Sequence, residues 1–236
     1  MSDIFIGELI GTFILVVFGV GAGANLNLNK TFANGGGWIV TSFAWGFAVA
    51  FGVYVSDFFG AGGHLNPAVT LAAALAGSIE WGVVAYYVSG QMIGAFIGAA
   101  FVILYFYPHW KATSDQGTKL GVFSTSPAIK NTPFNFISEV LGTFILVFGL
   151  NAIGLNSFAE GLNPLIVGFF IAAIGMSLGG TTGYAINPAR DLGPRLAHAL
   201  LPIPGKGSSD WGYAWIPVVG PLVGAVLATF VFQSLF

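Results

Sequence analysis

The chain contains no cysteine and very little charge, and both absences narrow what it can be. Without cysteine it forms neither disulfide bonds nor thiolate metal sites. Only 7% of its 236 residues are charged, whereas soluble domains average about 25%. Its three histidines lack the spacing of metal ligands, and a net charge of −2 gives no signal of nucleic-acid binding. The sequence therefore predicts no metal, no cofactor and no nucleic-acid partner.

What the chain does contain is apolar surface and glycine. Hydrophobic residues make up 56% of it, and 35 residues are glycine. A soluble protein of this composition would expose large apolar patches, whereas glycine is frequent in membrane helices, where it lets backbones approach closely. No basic segment precedes the first apolar run, so we expect that run to be a permanent spanning helix rather than a cleaved signal peptide.

Six stretches are apolar and have about the 20 residues that a helix needs to cross a bilayer. We predict spanning helices at approximately 4–22, 38–55, 82–107, 134–154, 163–179 and 213–235. Two further apolar segments, 67–77 and 188–201, are too short to cross. Each begins at a proline and predicts a half-span helix, which a membrane tolerates only where protein or a water-filled cavity surrounds it.

The triplet Asn-Pro-Ala occurs twice, once in each half of the chain. The copies are Asn66-Pro67-Ala68 and Asn187-Pro188-Ala189. Each asparagine oxygen is expected to cap a helix, and each proline fits the first helical position, where its missing N–H costs nothing. The NH₂ group of each asparagine would then be free to point elsewhere. Two such starts that face each other inside a membrane would bring two positive helix ends and two amide donors together.

The two halves also repeat. Residues 11–16 recur letter for letter as residues 142–147, and a glutamate, Glu8 or Glu139, precedes each copy. Three spans per half is an odd number, so the second half enters the membrane from the opposite side. We predict a single all-α transmembrane channel domain with six spanning helices and two half-helices. Its inverted repeats are about 1–107 and 134–236, joined by a polar solvent loop at 108–133.

These features resemble the major intrinsic proteins, the aquaporin and aquaglyceroporin family. The resemblance covers the whole chain and rests on the two triplets, with His64 before the first and Arg190 directly after the second. Within the family the chain is similar to the glycerol facilitators, because Asp191 follows Arg190 and the basic Arg195 lies four positions further on.

The resemblance implies a narrow selectivity filter formed by four residues. They are Trp45, Gly175, Tyr184 and Arg190. The two aromatic rings would carry the carbons of a polyol while Arg190 supplies fixed, charged donors. We expect Gly175, which has no side chain, to widen the opening for solutes larger than water. The chain departs from the glycerol facilitators at Tyr184, where they carry phenylalanine, and this places a hydroxyl on an apolar wall.

Four further residues are expected to support the pore: Glu8, Glu139, His64 and Asp191. Glu8 and Glu139 are interpreted as buried carboxylates that accept hydrogen bonds from the triplet loops, with a direct role in transport as the alternative. His64 is interpreted as a packing and loop-fixing residue, with gating or pH sensing as its alternative. Arg190 at the membrane interface could instead pair with Asp191, but an arginine at membrane depth is functional by default.

The predicted function is a passive channel for glycerol and other small neutral solutes, with water, that excludes ions and protons. Alternatives within the channel class are a water-selective pore and a facilitator of neutral lactic acid. A coupled secondary transporter is the alternative from another class, because inverted repeats with broken helices also build carriers. Its coupling groups would be limited to Glu8, Glu139 and His64. We expect no enzyme activity, since the spans carry no catalytic dyad.

Location and assembly are implied mainly by the resemblance: a multi-pass protein of the cell membrane, surrounded by lipid and assembled as a homotetramer. All seven lysines and arginines lie in 23–37, 108–133 or 188–212, which share one side of the predicted topology. The positive-inside rule would make that side cytoplasmic, whereas the resemblance places both termini in the cytoplasm. We follow the resemblance, because Arg190 belongs to the predicted pore.

Overall fold

The computed structural model describes residues 1–235, which form helices and no β-strand, as the all-α prediction requires. Phe236, the last residue of the second predicted repeat, lies outside the described residues. The helices are α1 Ser2–Asn27, α2 Gly37–Phe58, α3 Pro67–Leu75, α4 Val84–Tyr105, α5 Tyr107–Ala112, α6 Gln116–Phe123, α7 Thr132–Gly154, α8 Asn163–Leu178, α9 Pro188–Leu200 and α10 Ile216–Leu235. A 3₁₀ turn at Trp81–Val83 leads into α4.

Helices occupy all six predicted spans, and their ends differ from the predicted ones by at most five residues. Five of them, α1, α2, α7, α10 and α4 with its 3₁₀ turn, are long and apolar enough to cross a membrane. Helix α8 has 16 residues, about 24 Å at ~1.5 Å per residue, which is short of a full bilayer. Helix α1 instead runs five residues beyond the predicted 4–22, because its last turns pack against α6, where Gly23 approaches the Val122 carbonyl.

Glycines bring the spanning helices together in the same way in both halves. A Cβ atom at Gly94 of α4 would overlap the Leu9 carbonyl oxygen of α1, and one at Gly224 of α10 would overlap the Val140 carbonyl oxygen of α7. Helix packing in lipid depends on such small residues, because the apolar solvent provides no hydrophobic drive. The equivalent contacts support the inverted repeat, which stays a prediction.

The half-helices interlock the two halves. Helix α3 belongs to the first half but packs mainly against α10 of the second, and α9 of the second half packs mainly against α4 of the first. At the second contact a Cβ atom on Gly193 would come within 2.5 Å of the Ala95 Cβ. Because each half-helix packs against spanning helices of both halves, it can end inside the fold.

The segment 108–133, predicted as a solvent loop, is partly helical and partly buried. It contains α6 and most of α5, and α6 packs against α1 and α9. Trp110 is fully buried, stacks on Phe123 with ring centroids 5.2 Å apart, and donates from Nε1 to the Ile103 carbonyl. Asp115 caps α6 by accepting from the Thr118 N–H at 2.6 Å. The prediction was wrong because two aromatic residues in a polar segment were enough to anchor it.

Hydrogen bonding to Thr118 also holds the pKa of the exposed Asp115 carboxyl below its usual range. The charged form of this cap is therefore the one that Thr118 stabilises.

The close helix contacts lead to a stability prediction. Gly94→Ala should lower the free energy of unfolding by about 1–3 kcal/mol, because the added methyl group has no room at the α1–α4 contact. Thermal melting of the detergent-solubilised protein measures this. Gly154→Ala is the matched control, since a Cβ there meets nothing within 4 Å. Equal melting temperatures for the two variants would contradict the described contact.

Candidate functional site

Both half-helices begin at the asparagine of a triplet, as the capping pattern predicts. Asn66 Oδ1 accepts from the Ala68 N–H at 2.9 Å. Asn187 Oδ1 accepts from the N–H groups of Ala189 at 3.0 Å and Arg190 at 3.2 Å. The prolines that follow occupy the first turn of α3 and α9. The helix N-termini, with their partial positive charge, therefore lie next to the asparagine side chains.

The asparagine NH₂ groups point away from their own helix caps and towards the opposite loop. Asn66 Nδ2 donates to the Ile186 carbonyl and Asn187 Nδ2 donates to the Leu65 carbonyl, both at 2.8 Å. Each triplet is thus bonded to the residue that precedes the other triplet. An amide NH₂ has two hydrogens, so one per asparagine remains for another acceptor. Both asparagines line a cavity.

The residues that accept these bonds have strained backbones. Leu65 and Ile186 have φ angles of 53° and 42°, a left-handed conformation that is uncommon for bulky residues. Their N–H groups point away from the cavity towards buried carboxylates, and their carbonyls point towards the opposite asparagine. The left-handed conformation therefore lets each of these residues donate its N–H to a carboxylate on one side and offer its carbonyl to an asparagine on the other.

Glu8 holds the first loop. It accepts from the N–H groups of His64 and Leu65, both at 2.7 Å, and from Gln91 Nε2 at 2.7 Å. Its side chain is fully buried. A carboxylate with several donors around it can stay at membrane depth because those bonds offset the cost of burial.

Glu139 holds the second loop in the same manner. It accepts from Thr182 Oγ1 at 2.7 Å and from the N–H groups of Ala185 at 3.0 Å and Ile186 at 2.8 Å. Among residues 1–235, those that line the cavity include neither this carboxylate nor Glu8. Both glutamates thus contact the loops from behind, on the side away from the cavity.

His64 lies at the cavity wall and is also packed. Its ring stacks on Tyr87 with centroids 4.4 Å apart, and Nδ1 lies 3.2 Å from Thr70 Oγ1. The ring therefore faces both the lumen and the helices that surround α3.

Two cavities meet at three side chains. The first, of about 210 Å³, runs past both asparagines between apolar side chains and the triplet loops. The second, of about 460 Å³, is a wider vestibule beside α6. Three residues line both: Trp45, Tyr184 and Arg190. These three residues form the boundary between the first cavity, called the lumen below, and the vestibule.

Arg190 lies over the Trp45 ring, with Cζ 4.0 Å from the ring centroid, and Nη1 donates to the Phe123 carbonyl at 3.4 Å. The cation–π contact fixes the guanidinium while leaving donor groups for a ligand. The carboxylate of Asp191 does not pair with it. Asp191 instead forms a buried ion pair with Arg195, at 2.8 Å.

That ion pair ties the vestibule loops to α9. Asp191 also accepts from the N–H and hydroxyl groups of Thr125, both at 2.7 Å. Arg195 donates to the carbonyls of Ser209 at 2.7 Å and Thr125 at 2.9 Å. The many hydrogen bonds to this pair offset part of the free-energy cost of removing two charges from water. Of the two arginines of α9, Arg190 is therefore the one whose residue lines both cavities.

Gly175 does not join the other three predicted filter residues at the cavity boundary. A Cβ atom there would lie 2.7 Å from both Cζ and the hydroxyl oxygen of Tyr184. The space expected to widen the opening is thus already filled by the Tyr184 ring. Sequence reasoning missed Phe123, whose carbonyl accepts from Arg190, and also Trp38 and Ser42, which lie beside Tyr184. For Trp38 a signal existed, since it precedes Trp45 by seven residues, two helical turns on one face.

Comparison with known proteins places this geometry in context. The family model described as "Major intrinsic protein" matches residues 2–232. The glycerol uptake facilitator protein of Bacillus subtilis (strain 168) is 57% identical over 98% of this chain and 84% of its own. The D/L-lactic acid transporter of Lactiplantibacillus plantarum is 38% identical over 98% and 97%. The X-ray structure of the aquaglyceroporin from Plasmodium falciparum has a TM-score of 0.85 at 30% identity, over 98% and 95%.

The loop contacts lead to a prediction for Glu8. Glu8→Gln would turn an NH₂ group towards a backbone donor, so we expect a loss of about 1–3 kcal/mol in stability and a large drop in solute flux. Thermal melting and vesicle swelling measure the two effects. Glu80→Gln, at an exposed position, is the matched control. Full flux and unchanged melting in Glu8→Gln would rule out this role.

Proposed function

Because the chain belongs to the major intrinsic protein family, we propose that it is a passive transmembrane channel for glycerol and other small neutral solutes, together with water. Its relatives include a glycerol uptake facilitator and an aquaglyceroporin, so the chain is a channel and not an enzyme. The observation that carries the proposal is the meeting of two cavities at Trp45, Tyr184 and Arg190.

The chemistry of that boundary suits a polyol. The rings of Trp45 and Tyr184 offer apolar surface to the carbons, and Arg190 offers donors to the hydroxyl groups. Beyond it, the lumen is lined by aliphatic side chains on one side, Val49, Leu146 and Ile171 among them. We assign the selectivity filter to Trp45, Tyr184 and Arg190, with Gly175 contributing through the space it leaves for Tyr184.

The exclusion of ions and protons follows from the same residues. A cation would lose its hydration shell in a lumen with few replacement ligands, and it would meet Arg190 and the positive ends of α3 and α9. The remaining hydrogen of Asn66 and that of Asn187 are donors at the point where the half-helices meet. Such donors would orient a water molecule between them and oppose proton relay.

The alternatives are weaker on specific grounds. Glu8 and Glu139 each accept several hydrogen bonds from the triplet loops, which argues against a coupled carrier that needs them to release protons. The lactic acid transporter is less similar than the glycerol facilitator, at 38% against 57% identity. A water-selective pore would be marked by the failure of glycerol to enter, so one solute panel decides among the channels.

We propose that the chain is a homotetramer of the cell membrane with both termini in the cytoplasm. The distribution of basic residues is a weak argument against this orientation, because several of them form hydrogen bonds or an ion pair within the protein. Arg195 is in a buried ion pair, Lys119 Nζ donates to the Pro204 carbonyl, and Lys206 Nζ donates to three carbonyls near the end of α9. Basic residues with such structural roles are weak topology signals, because the positive-inside rule describes charges in loops.

Transport should be passive. In vesicles that contain the purified protein, glycerol flux should rise linearly with its gradient and stay unchanged when a proton or sodium gradient is imposed. Osmotic swelling measured by light scattering checks this, with glycerol, water, urea and lactic acid as the panel. Uphill accumulation of glycerol under a proton gradient would overturn the channel proposal and favour a carrier.

Removal of the Arg190 charge at the boundary should weaken the exclusion of protons and cations. Arg190→Val should raise proton or cation leak at least about tenfold, equivalent to ~1.4 kcal/mol off the barrier, while glycerol flux persists. A pH-sensitive dye inside the vesicles reports the leak. Lys130→Ala, which removes an exposed charge, is the control. A leak as low as that of the control would show that Arg190 is not the barrier.

A further inference from the structure

Tyr184, the residue at which the chain departs from the pattern of the glycerol facilitators, lies in a groove on α8. Two glycines one turn apart form the groove. A Cβ at Gly175 would lie 2.7 Å from the Tyr184 hydroxyl oxygen, and one at Gly179 would lie 2.5 Å from its Cδ1. Either methyl group would push the ring out. The φ angle of Tyr184 is 39°, so its backbone is held in a strained conformation as well.

Trp38 closes the groove from the vestibule side. Its indole Nε1 donates to the Gly175 carbonyl at 2.9 Å, and its ring meets the Tyr184 ring edge-on with centroids 5.9 Å apart. A Cβ at Gly179 would also lie 2.6 Å from Trp38 Cζ2. Trp38 lines the vestibule but is not among the residues of the lumen. It therefore contacts the boundary from outside.

Ser42 closes the groove from behind. It is fully buried, and its Oγ donates to the Trp38 carbonyl at 3.0 Å. Ser42 Oγ and the Tyr184 hydroxyl border the same position, because a Cβ at Gly175 would lie 3.1 Å from one and 2.7 Å from the other. The two hydroxyls therefore lie close together, but the Tyr184 hydroxyl forms no hydrogen bond of standard geometry with any residue in 1–235.

A buried hydroxyl without a well-placed hydrogen-bond partner is destabilised. It becomes more stable where it can bond to water. For Tyr184, water lies on the cavity side, since the residue lines both the lumen and the vestibule. A ring that left the groove would carry its hydroxyl into the gap beside Trp45 and Arg190. The gap would become narrower and more polar.

We propose that Trp38 and Ser42 are positioning residues that set solute specificity by holding the Tyr184 ring in the Gly175–Gly179 groove. The proposal rests on the channel function above and adds residues that do not touch the lumen. With the ring in the groove, the solute meets an aromatic surface and the gap admits a polyol. Release of the ring lowers glycerol permeability more than water permeability, because glycerol has the larger cross-section.

The first test is a double-mutant cycle on the Tyr184 hydroxyl, read as the ratio of glycerol to water permeability in vesicles. Ser42→Ala should lower this ratio at least about twofold, the lower range for residues in contact. In the Tyr184→Phe background the same change should have no effect, because no hydroxyl remains to be held. Thr41→Val is the matched control, since Thr41 also donates to a carbonyl four residues earlier.

The second test addresses Trp38 and does not depend on Ser42→Ala being folded. Trp38→Phe removes the donor to Gly175 and keeps an aromatic ring. It should lower the permeability ratio at least about twofold alone and leave it unchanged in the Tyr184→Leu background, where the shorter side chain no longer fills the groove. A fold defect is recognised separately, because it would reduce glycerol and water permeability alike in both backgrounds, and the ratio is then read from Ser42→Ala instead.

The outcomes separate this proposal from the channel function. Equal effects of Ser42→Ala or Trp38→Phe with and without Tyr184, or no effect on the ratio, would overturn the positioning role. Failure of the unmodified protein to pass glycerol would overturn the proposed function instead. In that case the water permeability of the same variants still reports whether Trp38, Ser42 and Tyr184 are coupled.

Discussion

Backbone amides that water cannot reach are the constraint on which this pore depends. The two loops before the half-helices run at membrane depth, and there an unbonded N–H costs several kcal/mol. Glu8 and Glu139 satisfy the loop amides from behind, while the triplet asparagines satisfy a carbonyl of the opposite loop. The same bonds fix Leu65 and Ile186 in strained conformations. The hydrogen bonds that satisfy the backbone of the two loops therefore also shape the lumen.

Charge is distributed under the same constraint. Asp191 and Arg195 neutralise each other in a buried ion pair. Both also bond to Thr125, so the pair connects α9 to the segment after α6. The guanidinium of Arg190 lies over the Trp45 ring and donates one long hydrogen bond to the Phe123 carbonyl. The consequence is one fixed cation at the boundary of the cavities, held by a ring face that leaves its donors accessible.

Glycine has two different functions in this fold. Between α1 and α4, and between α7 and α10, glycines let backbones touch, which substitutes for hydrophobic drive in lipid. At the end of α8, Gly175 and the adjoining Gly179 instead make room for a side chain from a loop. In the first case a missing side chain brings two helices together. In the second, the missing side chains leave room for the Tyr184 ring beside the pore.

Sequence alone determined the helical class, the places of the helices at the six predicted spans, the half-helix starts and the family, because apolar length, asparagine-proline caps and repeated segments are local patterns. Only the tertiary structure decided that one hydrogen of each asparagine NH₂ crosses to the other loop, that the linker folds around Trp110, and that Tyr184 fills the space beside Gly175. These features join residues from distant segments. A missing side chain in a sequence indicates space, but which neighbour occupies that space depends on how the helices pack.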